Sequence, residues 1–319
     1  MRGFRKEPMP VYLFTGFLDG GKTSFIRQTM DEGQFEDGIT TLFIVCEEGE
    51  EEIDKARLDK SRFVVRKIED EDDVNEKLLR DFENEVHPGR VIIESNGMWD
   101  IDEMLDSFPE HWELAEVITP VDSTTFEMYL TNMKMMMTNQ FVYSDLVVFN
   151  RCTAQHDRAM FKRMVRAVNK RGQVLYETPE GEVEDNVPEE LPYDINAEVI
   201  KVEDEDFGIF YIDTFDNFDN YLGKTVSFLA QAKHPKSLTK SDLFAVGRKA
   251  MTCCAEDISF VAFPCVYERQ SEIKDDAWIR VEAKVNARMS TKTGKPAPVL
   301  EAVKIEPSEA AEDEIVYFY

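Results

Sequence analysis

The sequence predicts an α/β domain on a mostly parallel sheet, followed by a smaller all-β domain. Three observations predict it. Up to Glu177, short apolar runs alternate with helical periodicity, the pattern of a parallel sheet covered on both faces. After Ile195, helical periodicity gives way to closely spaced strand-like runs, as in a small OB-like barrel or sandwich. The length of 319 residues is enough for two cores of ordinary size. Domains are therefore expected at 1–195 and 196–319, separated by a Pro/Glu/Gly/Asn-rich stretch from Pro179 to Pro192 that cannot support a packed face.

In chain order, the first domain's strands are predicted at VYLFTGF from Val11, TTLFIV from Thr40, RFVVRKI from Arg62, RVIIES from Arg90, EVITPVD from Glu116, DLVVFN from Asp145 and QVLYE from Gln173. Helices are predicted at Lys22–Met30, Asp73–Val86 and Asp157–Lys170. In the last of these, Met160, Met164 and Val168 share a face. The second domain's strands are predicted at AEVIKV, GIFYID, TVSFLAQA, ISFVAFPCVY, WIRVEAKV, VLEAVKI and IVYFY. Phe207, Phe210, Tyr211, Phe215, Phe218 and Tyr221 read as packing residues.

Charge narrows the functional classes. With 37 Lys and Arg against 64 Asp and Glu, the net charge is -27, which argues against an extended contact with nucleic acid or an anionic membrane. No apolar run approaches the ~20 residues of a membrane span, so the chain is not expected to be integral to a membrane. Five cysteines with one adjacent pair, and no apolar secretory core near the start, predict a reducing, cytoplasmic setting.

GFLDGGKTS, from Gly16 to Ser24, follows an apolar strand and precedes a helical run. Gly16, Gly21, Lys22 and Thr23 satisfy the G-x-x-x-x-G-K-[ST] pattern of a P-loop nucleoside triphosphatase (NTPase). Gly20 and Gly21 let backbone N–H groups converge on phosphate. Lys22 brings a point charge to the terminal phosphates, and the Thr23 hydroxyl suits Mg²⁺. Asp19 puts a carboxylate inside that loop, which predicts weaker binding or faster release than Gly or Ala would give.

GFLDGGKTS resembles the GFLGSGKTT loop of the CobW-like GTPases, and four further segments follow in that family's order. Glu47–Asp54 (EEGEEEID) resembles EFGEVGID. Val91–Gly97 (VIIESNG) resembles an ExSG strand end, TPVDSTTF resembles VVDAxNF, and QFVYSDLVVFNR resembles QIxxADxIxLNK. The resemblance runs from Val11 to Glu177 and implies a GTP- or ATP-hydrolysing P-loop fold with Mg²⁺ as cofactor. It implies that Lys22 and Mg²⁺ on Thr23 stabilise developing phosphate charge. Glu94 would hold the metal's water or orient the attacking water, Gly97 would admit a loop near the γ-phosphate, and Glu50 is a weaker catalytic candidate.

Three departures qualify it. The base-recognition motif NKxD reads Asn150-Arg151-Cys152-Thr153 here, so the carboxylate that would accept from guanine N1 and N2 is missing and GTP is favoured over ATP only weakly. The family's C-x-C-C metal motif is absent, and so is its His-rich segment, which weakens a metallochaperone reading. Glu47, a ligand for a hard cation in principle, reads as part of a solvated loop.

In the second domain Cys253, Cys254 and Cys265 could form a thiol or metal site, although buried reduced cysteines are the simpler reading. GRKAMTCCAEDISFVAFPC with DDAWIRVEAKV is similar to the CCAxD-containing C-terminal β-domain of small subunits of two-component permeases. That similarity implies an accessory or ligand-binding role.

Three readings follow. One is a slow NTP hydrolase that switches or loads a protein partner, a permease component or metalloprotein, with hydrolysis stimulated by that partner or by homodimerisation. The second is a nucleotide-binding scaffold with negligible turnover. The third is a metallochaperone without the usual thiol motif.

Overall fold

The computed structural model describes residues 8–47, 49, 53–184, 191–236, 238, 242–252, 257–290 and 294–318. The chain divides into two compact units, Met1–Arg158 with Val168–Val187, and Ala159–Ala167 with Pro188–Tyr319.

The first unit begins with β1 (Met9–Phe14), α1 (Lys22–Asp31), β2 (Thr41–Val45), α2 (Lys55–Lys60), β3 (Phe63–Lys67), α3 (Glu76–Val86) and β4 (Arg90–Glu94). It continues through α4 (Ile101–Asp106), β5 (Trp112–Asp122), α5 (Ser123–Asn132), α6 (Lys134–Asn139), β6 (Leu146–Asn150), α7 (Arg158–Val168), β7 (Gln173–Glu177) and β8 (Val183–Glu184). Most of α7, residues 159–167, groups with the second unit. Among the described residues the sheet order is β3-β2-β4-β1-β5-β6-β7-β8, parallel except for the antiparallel β7–β8 pair.

Alternation within the strands explains why both sheet faces are covered. Val11, Leu13, Leu42, Ile44, Val91 and Ile93 enter one buried cluster. Their neighbours Phe14, Phe43 and Ile92 enter another, with Ile26 and Met30 of α1. Successive side chains of a strand point to opposite faces, so these apolar runs need a layer on each side. Helices α3 and α5 are capped by Asn75 and Asp122, whose side chains accept from Leu78 N and Thr124 N.

The second unit contains β9 (Val199–Lys201), α8 (Phe207–Asp216), β10 (Thr225–Lys233), β11 (Leu243–Ala250), β12 (Ser259–Val266), β13 (Trp278–Met289), β14 (Pro296–Pro307) and β15 (Ile315–Val316). Strands β11, β12, β14, β13 and β10 pair in that order, and a β10–β11 pairing closes the ring into a barrel-like sheet. Its interior is apolar, with Val226, Phe228, Phe244, Phe263, Val281 and Leu300 all buried.

One predicted strand is corrected. GIFYID lies in helix α8, where Phe207, Gly208, Phe210, Tyr211, Ile212, Asp213 and Thr214 are all buried. A six-residue apolar run carries no period by which to tell a strand from a fully buried helix. Strand β11 was not anticipated, because Gly247, Arg248 and Lys249 interrupt its apolar character. Arg248 is nevertheless fully buried, with its guanidinium carbon 5.0 Å from the Trp278 ring centroid.

Candidate functional site

The loop after β1 is bent by residues in the left-handed region, at Gly16 (φ 111°), Asp19 (φ 59°) and Gly21 (φ 103°). A side chain at Gly16 would bring its Cβ to 2.8 Å from the Pro120 carbonyl oxygen, and one at Gly21 to 2.6 Å from Asn150 Nδ2. Those contacts explain why glycine is needed at both positions.

The end of α6 and the ends of neighbouring strands hold the loop. Gly16 N–H donates to Gln140 Oε1 at 2.9 Å, while Gln140 Nε2 donates to the Gly97 carbonyl at 3.1 Å. Asn150 Nδ2 donates to the Gly20 carbonyl at 2.7 Å. Thr15 and Thr119 share a hydroxyl bond of 2.6 Å below the turn. A Cβ at Gly97 would lie 2.6 Å from the Gly16 carbonyl oxygen and 2.7 Å from Phe17 Cα, so this glycine permits a close backbone approach.

Helix α1 starts at Lys22 with Gly21 as its N-cap, and no side chain caps it. Its positive end faces a cavity of about 260 Å³ that brings together Asp19, Gly21, Lys22, Thr23, Ser24, Glu47, Glu94 and Arg151. Lys22 is buried. Its ammonium donates to the carbonyls of Gly16 (2.6 Å) and Phe17 (2.9 Å) and to Glu47 Oε2 (2.6 Å). Glu47 is therefore an ion-pair partner with a side chain only 11% exposed, not part of a solvated loop. A phosphate and Glu47 carry the same sign, so they compete for one cation.

Thr23 Oγ1 donates to Glu94 Oε1 at 2.6 Å, at the end of β4 where Phe14 of β1 is in register with Glu94. Burial pushes the Glu94 carboxyl above its usual range. The Glu47 charge adds to that rise, and the Thr23 bond and the Lys22 charge oppose it. Neighbouring Cys46 is buried, and burial, Glu94 and Glu47 raise its thiol to about 12, which keeps it protonated. The Thr23 hydroxyl and Glu94 carboxylate form a pair of hard oxygens that suits hydrated Mg²⁺ better than a soft metal.

Of the other residues singled out in the sequence, Gly20 sits in the loop with its carbonyl engaged by Asn150. Arg151, with φ 52°, is ion-paired to Asp122. Glu50, Cys253 and Cys254 lie outside the described residues. Cys265 is fully buried in the barrel core, and burial raises its thiol to about 12. Among the described residues, no group of three or more His, Cys, Asp and Glu could hold a metal ion. No helix among them is long and apolar enough to cross a membrane.

Sequence reading missed Gln140 and the Lys22–Glu47 pair. Gln140 opens the QFVYSDLVVFNR segment, and that position was its one available signal.

Residues 10–176 match the family model described as CobW/HypB/UreG, nucleotide-binding domain. Residues 178–318 match that of the DUF1980 C-terminal domain. Among solved structures, Zn(II)-bound YjiA GTPase from E. coli is similar at 16% identity and a TM-score of 0.43, over 74% of this chain and 76% of that one. The hydrogenase maturation factor HypB from Archaeoglobus fulgidus is similar at 14% identity and a TM-score of 0.39, over 54% of this chain and 82% of that one. No curated protein matches the chain.

Proposed function

Because the chain belongs to the CobW/HypB/UreG nucleotide-binding family, we propose that it is a Mg²⁺-dependent P-loop NTP hydrolase that favours GTP over ATP. We further propose that its cycle switches or loads a protein partner, a permease component or a metalloprotein. The observation that carries this reading is the convergence of Lys22, the 2.6 Å Thr23–Glu94 pair and the α1 N-terminus on one cavity.

Phosphoryl transfer needs positioning and charge neutralisation more than covalent chemistry from the protein. In this reading the α1 N-terminus and Lys22 hold the β- and γ-phosphates. Thr23 and Glu94 are the residues that would hold Mg²⁺, and the metal would supply further neutralisation of phosphate charge. Alternatively Glu94, whose burial raises its affinity for a proton, would orient the attacking water. The ring order of the second unit supports an OB-like accessory domain, and in this reading that domain is the part that would engage a partner.

Release of phosphate from GTP and from ATP, by the wild type and by Lys22→Ala, tests the hydrolase. Release that depends on Lys22 is the expected result, and none with either nucleotide overturns it. A nucleotide-gated scaffold with negligible turnover is the second reading, favoured by Asp19 in the loop and by Glu47 on Lys22. Lys22-dependent binding without phosphate release would select it.

A further inference from the structure

A second cavity of about 180 Å³ adjoins the phosphate cavity and shares Gly21, Ser24 and Arg151 with it. It lies where a base would follow the phosphates, against Asn150 at the end of β6 and Glu177 at the end of β7. Thr153, at the position where the resemblance calls for a carboxylate, does not line it. That residue is exposed, and its N–H donates to His156 Nδ1 of its own loop at 3.0 Å.

Glu177 is the carboxylate that does line this cavity. Its backbone is tied to the loop after β6, since Cys152 N–H donates to the Glu177 carbonyl at 2.8 Å. Among the described residues its carboxylate accepts no hydrogen bond and pairs with no cation. The nearby Asp122 is already committed, to Arg151 and to Thr124 N at the start of α5. Beside Glu177, Asn150 Oδ1 is buried with no hydrogen-bond partner, so a second acceptor is also unmet.

We propose that Glu177 reads the base, accepting hydrogen bonds from guanine N1–H and N2–H, so that a carboxylate from β7 replaces the one missing after Asn150. This rests on the nucleotide-hydrolase reading above. An ionised carboxylate only accepts hydrogen bonds, and guanine presents two donors side by side. Adenine presents an acceptor at N1. Hypoxanthine lacks the N2 donor, and xanthine places an oxygen there that a carboxylate repels. A site built around paired hydrogen bonds rejects analogues that leave them unmade.

The test measures binding of GDP, IDP, XDP and ADP, with Mg²⁺, to the full chain as wild type, Glu177→Gln and Lys22→Ala. The wild type should bind GDP about 10- to 100-fold tighter than IDP, the range for one hydrogen bond to a charged group, and should bind XDP weakest. Glu177→Gln should bring GDP down to the level of IDP and raise XDP, because an amide can donate to the xanthine oxygen. Lys22-dependent binding in which the wild type treats GDP and IDP alike overturns the assignment and leaves the hydrolase reading standing. So does a Glu177→Gln protein that keeps the wild-type ratio. Absence of binding by any nucleotide overturns both. The wild-type comparison of GDP with IDP decides the matter even where the variant fails to fold.

Discussion

Replacing Glu47 with glutamine isolates the competition between a carboxylate and a phosphate for the Lys22 ammonium. The two groups are 2.6 Å apart, with side chains 3% and 11% exposed. At an effective dielectric constant of ~20 the gross attraction at that distance is about 6 kcal/mol. Desolvation of both charges cancels much of it, and hydrogen bonds to charged groups retain about 1.5–3 kcal/mol. An incoming phosphate must first release that interaction, so Glu47→Gln should tighten GDP and GTP binding by about 10- to 100-fold. Equilibrium competition against a fluorescent GDP analogue at fixed Mg²⁺ measures the change. In a Lys22→Ala background the same substitution should have almost no effect, which a double-mutant cycle reads directly. Affinity that is unchanged or weaker in Glu47→Gln refutes the competition. A drop seen only with Mg²⁺ present would instead make Glu47 a metal ligand.

Three other substitutions probe the site. Asp19→Gly removes a carboxylate and a left-handed backbone cost of ~1–2 kcal/mol; nucleotide titration should show tighter binding and thermal melting a higher midpoint, and weaker binding counts against the loop-repulsion argument. Glu94→Gln should change the pH profile of stability. The folded wild type keeps its Glu94 proton above the ordinary value of 4.5, where the unfolded chain has lost it, so its stability falls as pH rises from 4.5 towards the raised folded value. Denaturant melts across that window should show a shallower fall for Glu94→Gln, together with less stabilisation by Mg²⁺ and nucleotide. Gly97→Ala forces a Cβ against the Gly16 carbonyl oxygen and Phe17 Cα, both backbone atoms, so phosphate release should drop at least tenfold and the melting midpoint should fall.

The phosphate loop was legible because its chemistry is local. Gly16, Gly21, Lys22 and Thr23 are fixed by spacing alone, and the strand before them and the helix after them follow from adjacent residues. The first unit's strands were legible for a similar reason, since runs such as RVIIE of β4 are buried at every position. Pairing across long separations was not. Glu47 lies 25 residues from Lys22, and only the parallel register of β2 and β4 brings the end of β2 beside Glu94 and the loop. Glu177 was invisible for the same reason, because its approach to the Asn150 loop depends on β7 pairing with β6. In the second unit α8 escaped detection because burial on all sides erases the polar face that marks a helix.

On the proposed function, a chain of net charge -27 has to bind a triphosphate, and the side chains of the site do not offset that charge by themselves. The phosphate cavity places Lys22 and Arg151 against Asp19, Glu47 and Glu94, so its lining is acidic on balance. Arg151 is already paired to Asp122, and Lys22 to Glu47, so neither cation meets a phosphate without leaving a carboxylate behind. The helix N-terminus contributes a partial positive charge without a counter-carboxylate, but that amounts to ~0.5 of an elementary charge. The missing compensation has to arrive with the ligand. Nucleotide binding should therefore depend steeply on Mg²⁺, and nucleotide with a chelator should bind far more weakly than at a P-loop with an uncommitted lysine. By the same argument, whatever releases Glu47 from Lys22 controls how readily the loop loads. If a protein partner does so, a basic surface would be suited to accept that carboxylate.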